Sequence, residues 1–355
     1  MQQQAIQYLA LDVHQATIVA TLRDAAGAIK LRATVPTDAS AVLRLIRSAG
    51  ERVHVAMEEG TQAQWLYDVL RPHAERVVVC SLQRRSQTHR KSDRIDADRL
   101  SELLRLDAVQ TVYHDVESVA LLKEYVRSYT MLVQDATRTM YRIKSVFRSR
   151  GVRVRGVSVF GRRERQRWLD QLDSAGSRFR VEQLLTELDA VQELRERAKA
   201  KMIAEARRQS GWRTLRSIPF FGPIRTAYLL AIIVSPFRFR TKRQLWPYCG
   251  LAVVTRSSGE EEFAGGRLKK RRHVVATRGL NRNHNGLLKY VFKGAALAAT
   301  LRPGPLRDFY DQCVARGARP DIARVTLARK LAAITLRLWK KGELWDPSKV
   351  MMQAT

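Results

Sequence analysis

The chain of 355 residues is poor in cysteine and acidic residues and has no long apolar run. Its three cysteines, Cys80, Cys249 and Cys313, are too few and too scattered for a disulfide framework or a structural zinc site. The longest apolar run, residues 227–234, is far shorter than the roughly 18 residues a membrane-spanning helix needs. The first residues also lack the basic and apolar segments of an export signal, so we expect a cytoplasmic protein.

Basic residues are abundant instead. Lysine and arginine number 64 against 34 aspartates and glutamates, which gives a net charge of +30. With 45% hydrophobic residues, the chain is long enough for two or three folded domains with cores of their own. A charge excess of this size on a folded chain predicts a polyanionic partner, and it favours nucleic acid over a membrane surface.

One short segment, residues 91–100, is acidic within this basic chain. Asp93 and Asp96 lie three residues apart, so on a helix their carboxylates share one side and could hold a divalent metal ion. Enzymes that cut phosphodiester bonds use Asp and Glu oxygens in this way. Taken alone, the pair is explained as simply by a solvated helix start with an acidic first turn.

The order of predicted elements gives that pair a context. Strands are predicted at residues 6–13, 17–23, 29–35, 53–58 and 76–80, with helices at 38–49 and 62–70. This βββαβαβ order is typical of a ribonuclease-H-like fold, an α/β fold that carries metal-binding acids on its first strand, at the end of its fourth strand and on a later helix. Asp12, Glu58, Asp93 and Asp96 occupy those places.

Two alternatives remain open for the strand-end acids. Glu59 competes with Glu58, which we prefer because it directly follows the apolar strand, whereas Glu59 already belongs to the turn. Either Asp12 or Glu58 could instead be an ordinary cap of the turn that follows its strand.

Apolar residues then follow a heptad from Val119 to Phe147, which predicts a long helix packed along another helix in the same chain or in a partner. Residues 182–206 are the expected return helix of this coiled-coil arm. Between them, residues 148–167 are rich in arginine and glycine. We interpret them as a hinge or a loop facing nucleic acid, with a solvated linker as the alternative.

The last third is predicted to be mostly helical. Residues 215–230 suggest two helices joined by a Pro/Gly turn, a helix-hairpin-helix pattern that could offer backbone N–H groups to a phosphate, or a plain helical hairpin. A strand-like run then ends in Ser257-Ser258-Gly259. Cationic residues suited to a nucleic-acid backbone surround this run: Arg256, Arg267, Lys269, Lys270, Arg271 and Arg272.

In this order and spacing, the motifs resemble those of DEDD-type insertion-sequence transposases of the IS110 family, over most of the chain. The resemblance rests on Leu9-Ala-Leu-Asp12, Val55-Ala-Met-Glu58, Lys91-Ser-Asp-Arg-Ile-Asp-Ala97, Ile218-Pro-Phe-Phe-Gly-Pro223, Tyr248-Cys-Gly-Leu251 and Arg256-Ser-Ser-Gly259. In one departure, Phe220 stands where the family has the first Gly of Ile-Pro-Gly-h-Gly-Pro, h being apolar. In another, the family's Ser-Lys-x-Gly signature has only the imperfect counterpart Thr277-Arg-Gly-Leu280.

The resemblance implies three domains: a RuvC-like catalytic domain at 1–115, the helical arm at 116–210 and a C-terminal transposase domain at 211–355. It implies that Asp12, Glu58, Asp93 and Asp96 bind magnesium or manganese and that a serine of the last domain is the nucleophile. It further implies a homo-oligomer, dimer or tetramer, whose sites combine domains from different protomers, and a structured noncoding RNA that guides the choice of DNA.

We favour Ser258 as the nucleophile, with Ser257 as an alternative and an ordinary turn serine as another explanation. A recombinase that rejoins strands through this serine is the leading hypothesis. A RuvC-like nuclease that uses water, or a basic nucleic-acid-binding protein without catalysis, would explain parts of the same pattern.

Overall fold

The computed structural model describes residues 5–80, 93–112, 119–257, 261–264, 267–270 and 276–348. The chain forms two compact units, Met1–Val116 and Glu117–Thr355. The predicted helical arm and the C-terminal helices both lie in the second unit, and the division into three domains stays a prediction.

The first unit is built on a mixed sheet of six strands. They are β1 (Gln7–Val13), β2 (Thr17–Arg23), β3 (Ile29–Pro36), β4 (Val53–Glu58), β5 (Arg76–Cys80) and β6 (Thr111–Val112). Their order across the sheet is β3-β2-β1-β4-β5-β6. The pairs β1/β4 and β4/β5 are parallel, and the other neighbours are antiparallel. The first three strands therefore form a meander, to which the parallel strands add on the side of β1.

Three helices cover the sheet: α1 (Ala39–Ala49), α2 (Ala63–Leu70) and α3 (Asp93–Arg105). Alternate residues of each strand face opposite sides, which divides the core in two. Leu9, Leu11 and Met57 pack with residues of α1 and α2, whereas Ala10 and Ala56 pack with residues of α3. The sheet is thus a central layer with helices on both faces.

The strands and helices predicted before residue 81 are confirmed to within one residue at each end. Apolar alternation and turn residues mark them clearly; for example, the Asp38 carboxylate caps α1 by accepting the N–H of Ala41 at 2.8 Å. The short strand β6 was not predicted. It has only two residues, and it exists because Val112 and Thr111 pair with the edge of β5.

The second unit consists of nine helices and two small sheets within the described residues. The helices are α4 (Ala120–Ser149), α5 (Arg165–Leu169), α6 (Ala175–Arg208), α7 (Trp212–Ser217), α8 (Pro223–Ile233), α9 (Lys242–Tyr248), α10 (Gly286–Ala299), α11 (Pro305–Ala315) and α12 (Pro320–Lys341). The strands are β7 (Val253–Ser257), β8 (Glu261–Ala264), β9 (Arg267–Lys270) and β10 (Ala276–Leu280). Strand β7 pairs with β10 and β8 pairs with β9, both antiparallel.

Helices α4 and α6 form an antiparallel pair. Thr139 donates to the Glu187 carboxylate at 2.8 Å, and farther along α4 Arg150 donates to Ser177 at 2.9 Å. The predicted heptad face of α4 is buried within this one chain, with only Val133 and Met140 partly exposed. Of the two alternatives for the partner of α4, the structure contains the one within the same chain, helix α6.

One large apolar core joins the first part of α4 and the end of α6 to the C-terminal helices. Helix α8 is its centre, since seven of its residues are buried, among them Leu229 and Leu230. The predicted helical hairpin is present as α7 and α8, joined through residues 218–222. None of the described helices combines the length and the apolar character needed to cross a membrane.

Candidate functional site

Two acidic residues lie side by side at one edge of the central sheet. Asp12 is the penultimate residue of β1, and Glu58 is the last residue of β4. The parallel register pairs Leu11 with Met57, so Asp12 and Glu58 are the next residues along two neighbouring strands. The buried strands before them fix both positions, because the alternation of their side chains cannot slip by one residue without exposing the core.

Both acids belong to the face of the sheet that α3 covers. Asp12 is two residues beyond Ala10, and Glu58 is two residues beyond Ala56; these two alanines contact the buried Leu100 and Leu104 of α3 or its neighbours in the same core. Glu59 follows by one residue, so strand alternation would direct it to the opposite face, and its N–H donates to the Cys80 carbonyl at 2.8 Å. The geometry favours Glu58 over Glu59 for a site on this face.

Helix α3 brings its N-terminal end to the same edge. Thr21, which pairs with Ala10 of β1, donates to Asp98 at 2.8 Å. Arg105, seven residues later, reaches the Ala25 carbonyl beyond the opposite end of β1. The helix therefore runs antiparallel to β1, and residues before Asp98 extend toward the edge that carries the two strand-end acids.

The predicted helix acids lie in this N-terminal turn. Asp93 is the first residue of α3, and its side chain lies outside the described residues. Asp96 is partly buried, and within the part of the chain described here its carboxylate has no hydrogen-bond or ion-pair partner. An uncompensated carboxylate at this edge is available for a cation.

Other groups near the strand ends limit the chemistry. The side chain of Asp12 is 14% exposed and lies 3.3 Å from Nε2 of the more exposed His14. Cys80, opposite Glu58 on β5, donates its thiol to the Met57 carbonyl at 3.3 Å. Burial, and after it the charge of Glu58, raises the pKa of the Cys80 thiol to about 12, so this cysteine stays protonated and is no nucleophile.

The donor set fits a hard divalent cation, since it consists of carboxylate oxygens. Among the side chains that the structure describes, no three of His, Cys, Asp or Glu lie close enough together to hold a metal ion. The side chain of Asp93 is not one of those, and the four acids come from three separate elements. Binding would therefore draw together carboxylates that the fold has placed at one edge.

The candidate serines lie in the second unit. Ser257 ends β7, where it pairs with Ala276 of β10, and Ser258 lies outside the described residues. Arg256 pairs with Thr277 in the same ribbon. Ser257 is thus the last residue of one strand of a two-stranded ribbon.

The predicted basic cluster is divided. Arg267 is exposed at the start of β9, and Lys269 and Lys270 follow on this strand, opposite Glu262 and Glu261 of β8. The hairpin therefore sets two acids across from two of the basic residues. Arg271 and Arg272 lie outside the described residues.

The root of the β7/β10 ribbon contains residues that sequence reasoning missed. Gly250 has φ of +64°, and a Cβ atom there would lie 2.5 Å from Cγ of His284, so glycine is required for both reasons. Asn281 donates to the Pro247 carbonyl at 3.1 Å, and the Asn285 N–H donates to the Tyr248 carbonyl at 2.9 Å. The sequence signals were the Tyr248-Cys-Gly-Leu251 motif, to which no role was given, and the alternating Asn-x-Asn-x-Asn at 281–285.

The turn between α7 and α8 has a phenylalanine, Phe220, at a position where the backbone is left-handed. Phe220 has φ of +68°, and its carbonyl accepts a hydrogen bond from Arg225 at 2.7 Å. A glycine adopts this conformation without strain, so the backbone here suits the glycine that the resemblance leads us to expect. Phosphate binding by this turn stays a prediction.

Two family models match the chain, and between them they include parts of both units. The model of the DEDD transposase domain of IS110 elements matches residues 9–150, and the model "Transposase IS116/IS110/IS902 family" matches residues 212–311. The first match spans Asp12, Glu58, Asp93 and Asp96, and the second spans the serines. The chain belongs to the IS116/IS110/IS902 transposase family. The DEDD domain of this family suggests the use of a divalent metal ion.

A curated relative is similar to part of the chain. The uncharacterized 44.8 kDa protein of insertion element IS116 from Streptomyces clavuligerus is 27% identical over 139 residues, which are 39% of this chain and 32% of that protein. The chain thus matches about a third of the length of this relative. The similarity agrees with the family models and carries no residue roles of its own.

Proposed function

We propose that the protein is a DNA transposase of a mobile insertion sequence, an enzyme that cuts and rejoins DNA strands. The observation that carries the proposal is the meeting of Asp12 and Glu58 at the ends of two parallel strands, beneath the helix end that carries Asp93 and Asp96. Membership of a transposase family supports the same reaction class. The net charge of +30 suits a DNA substrate.

The first unit is proposed to be a ribonuclease-H-like, RuvC-like domain. Its support is the mixed sheet with order β3-β2-β1-β4-β5, in which three antiparallel strands precede two parallel ones. In such a sheet, the acids at the ends of β1 and β4 and those on the helix across this face form one site. Asp98, although it is in the same acidic segment, is bonded to Thr21 and Arg32 and is not part of this proposed site.

Asp12, Glu58, Asp93 and Asp96 would hold magnesium or manganese. When bound, such an ion neutralises charge on the reacting phosphate and makes an attacking hydroxyl more acidic. The protein's part is to hold the carboxylates at one edge. Leu11 and Met57 do this by anchoring the strand ends in the core, and the Asp98 contacts do it by fixing the rotation of α3.

The nucleophile is proposed to be Ser258, the residue after Ser257 in the sequence. Its Oγ would form a bond to the DNA phosphorus as its proton passes to a base, and the bond from phosphorus to the departing sugar oxygen would break, with that oxygen taking up a proton. Attack by a second sugar hydroxyl on the serine phosphodiester would rejoin the strands and free the serine. Because one phosphodiester replaces another at each step, no external energy source is needed.

A guide RNA and an oligomer are also part of the proposal, on the family resemblance. The large excess of basic residues is enough for a second nucleic acid beside the DNA. Copurification of a discrete RNA, removed by ribonuclease with loss of target choice, would support the guide. Sedimentation of the purified protein would give the number of subunits.

Strand cleavage by acid variants tests the catalytic proposal. Asp12→Ala, Glu58→Ala and Asp96→Ala should each abolish metal-dependent cleavage of the element's DNA while leaving the unfolding temperature and DNA affinity nearly unchanged. Glu59→Ala is the matched control, since its side chain should face away from the site, and it should retain cleavage. Full cleavage by Asp96→Ala would reject the metal site. Cleavage that needs the acids but never forms a protein–DNA adduct would instead favour hydrolysis by water.

A further inference from the structure

Residues 148–180, here called the arginine tip, connect the long helices α4 and α6. The tip contains ten arginines, three acidic residues and no lysine. It therefore carries a net charge of +7, ten positive minus three negative, in 33 residues. The proposed function assigns no role to this surface.

The tip is folded and is not a free linker or hinge. Val159, Leu169 and Leu172 are buried and pack against the end of α4, where Phe147 meets the Trp168 ring edge to face at 5.8 Å. Val152 and Val154 pack against the same core, whereas the residues between and after them are exposed. A small apolar core thus holds the backbone that carries the exposed arginines.

Five of the ten arginines form an ion pair or a side-chain hydrogen bond with a residue of the tip or of α6. Arg165 pairs with Asp189 through both terminal nitrogens, and Arg178 lies 3.4 Å from Asp170. The other five are exposed, and within the described stretch 119–257 they have no side-chain hydrogen bond or ion pair. They are Arg148, Arg153, Arg155, Arg163 and Arg180.

We propose that the arginine tip binds the phosphate backbone of duplex DNA, through residues other than those proposed for strand cleavage. Exposed guanidinium groups without internal partners are suited to phosphates, which arginine can bind with two parallel N–H bonds. A second copy of the tip would be repelled, because it has the same charge. The inference rests on the proposed function only in taking DNA as the nucleic acid present.

The tip lies far from the large C-terminal core of the same unit. Phe147, next to the tip, is 18 residues from Tyr129, the last buried residue of α4 that packs in that core. At 1.5 Å per residue, the helix separates the two by about 27 Å, which is roughly eight base pairs of duplex at 3.4 Å each. A contact at that distance fixes the position of the duplex without reading its sequence.

Neutralisation of two tip arginines tests the inference. The double variant Arg153→Gln with Arg155→Gln removes two exposed charges without touching the tip core. The control is Arg197→Gln with Arg207→Gln, two exposed arginines of α6 outside the tip that also have no side-chain partner in the described structure. Both variants change the net charge equally, and both should unfold at the temperature of the parent protein.

Binding of a short duplex DNA of arbitrary sequence is then measured as a function of salt, without metal, so that no cleavage occurs. The tip variant should bind roughly 30-fold more weakly at about 0.15 M salt, and the slope of log Kd against log salt should fall by about 2, because two phosphate contacts are lost. The control should change by less than about 3-fold, the effect of a general loss of charge.

Equal losses in the two variants, or no loss in the tip variant, would overturn the inference. So would a tip variant that loses affinity only for a duplex RNA of the same length and keeps its affinity for DNA. Because the assay needs no strand cleavage, its outcome is independent of the acid variants. If the acid variants reject the metal site, the binding result can still be interpreted. If the tip variant binds DNA normally, the proposal of the metal site is not affected.

Discussion

The guanidinium of Arg32 on β3 forms two hydrogen bonds with the carboxylate of Asp98 on α3: Nε donates to Oδ1 at 3.0 Å, and Nη2 donates to Oδ2 at 2.9 Å. Thr21 donates to the same carboxylate from β2. Asp98 is thus occupied by the sheet, whereas Asp96, two residues earlier on the helix, is not. Two acids of one segment therefore have different places: Asp98 positions α3 against the sheet, and Asp96 lies toward the strand ends.

We expect Asp98→Ala to lower the free energy of unfolding by about 1 to 2 kcal/mol, because it removes a paired charge and leaves the Thr21 hydroxyl without its acceptor. The figure is modest since the Arg32 side chain is 39% exposed. Glu51→Ala, an exposed acid with no recorded partner within the described residues, is the control and should change stability by less than about 0.5 kcal/mol. Chemical denaturation of both variants measures the difference. A variant as stable as the control would mean that the pair does not anchor α3.

Much of the first unit could be predicted because its information is local. The strand Thr17–Arg23 is a largely apolar run bounded by turns, and Asp12 and Glu58 could be placed at strand ends because each follows such a run. The face on which those acids lie followed from the period of a strand. The partner of each strand could not be predicted from this period. The order of the strands in the sheet was expected only because the element order resembles that of a known fold.

Contacts between distant residues could not be predicted. The requirement for glycine at Gly250 depends on the ring of His284, 34 positions away, and no local pattern links the two. The role of Asp98 depends on Arg32, 66 positions away. The arginine tip was visible as composition, but only the packing of Trp168 on Phe147 distinguishes a folded surface from a linker.

The turn before α8 gives a second prediction, on Phe220. Its left-handed backbone is strained for any side chain with a Cβ atom, and glycine relieves this strain by about 1 to 2 kcal/mol. Phe220→Gly and Phe220→Ala both lose the ring, which packs against the large core. We therefore expect the Gly variant to be more stable than the Ala variant by about 1 kcal/mol, as measured by urea denaturation. Equal stability, or a more stable Ala variant, would contradict the strained turn.

The Arg165–Asp189 pair should make the arginine tip sensitive to acid. Hydrogen bonds from Arg165, above all, lower the pKa of the Asp189 carboxyl below its ordinary value of 3.8. A carboxyl whose pKa is lowered by folding stabilises the folded state above its unfolded pKa and loses this effect as the pH falls through the folded value. Asp189→Asn should thus lower stability by about 1 to 2 kcal/mol at neutral pH.

The difference between the parent protein and Asp189→Asn should shrink as the pH is lowered below about 4, because the carboxyl of the unfolded chain takes up its proton first and that of the folded protein follows at lower pH. Asp173→Asn is the control, because Asp173 is an exposed tip acid without a recorded partner among the described residues. Thermal unfolding between neutral pH and pH of about 3 follows both. A gap that stays constant over this range would show that Asp189 stabilises the tip by something other than its charge.

The last prediction concerns Ser258, which we expect to become covalently linked to a DNA phosphate during the reaction. The residue follows the end of β7, a strand held at its root by Gly250, His284 and Asn281. Its immediate neighbours include Arg256, whose charge would attract a phosphate. Ser258→Ala removes the attacking oxygen but none of the acids or basic residues, so it should bind DNA and form no adduct. Ser257→Ala should have a milder effect, because Ser257 is part of the pairing of β7 with Ala276.

A denaturing gel with end-labelled DNA of the element reads out the adduct as labelled DNA that migrates with the protein. The parent protein should give this band and Ser258→Ala should not, whereas Asp96→Ala should abolish it by a separate cause, the loss of a carboxylate needed before attack. A band that persists in Ser258→Ala and disappears in Ser257→Ala would move the nucleophile by one residue. If both variants keep the band, neither serine attacks, and the covalent route would have to begin from another hydroxyl.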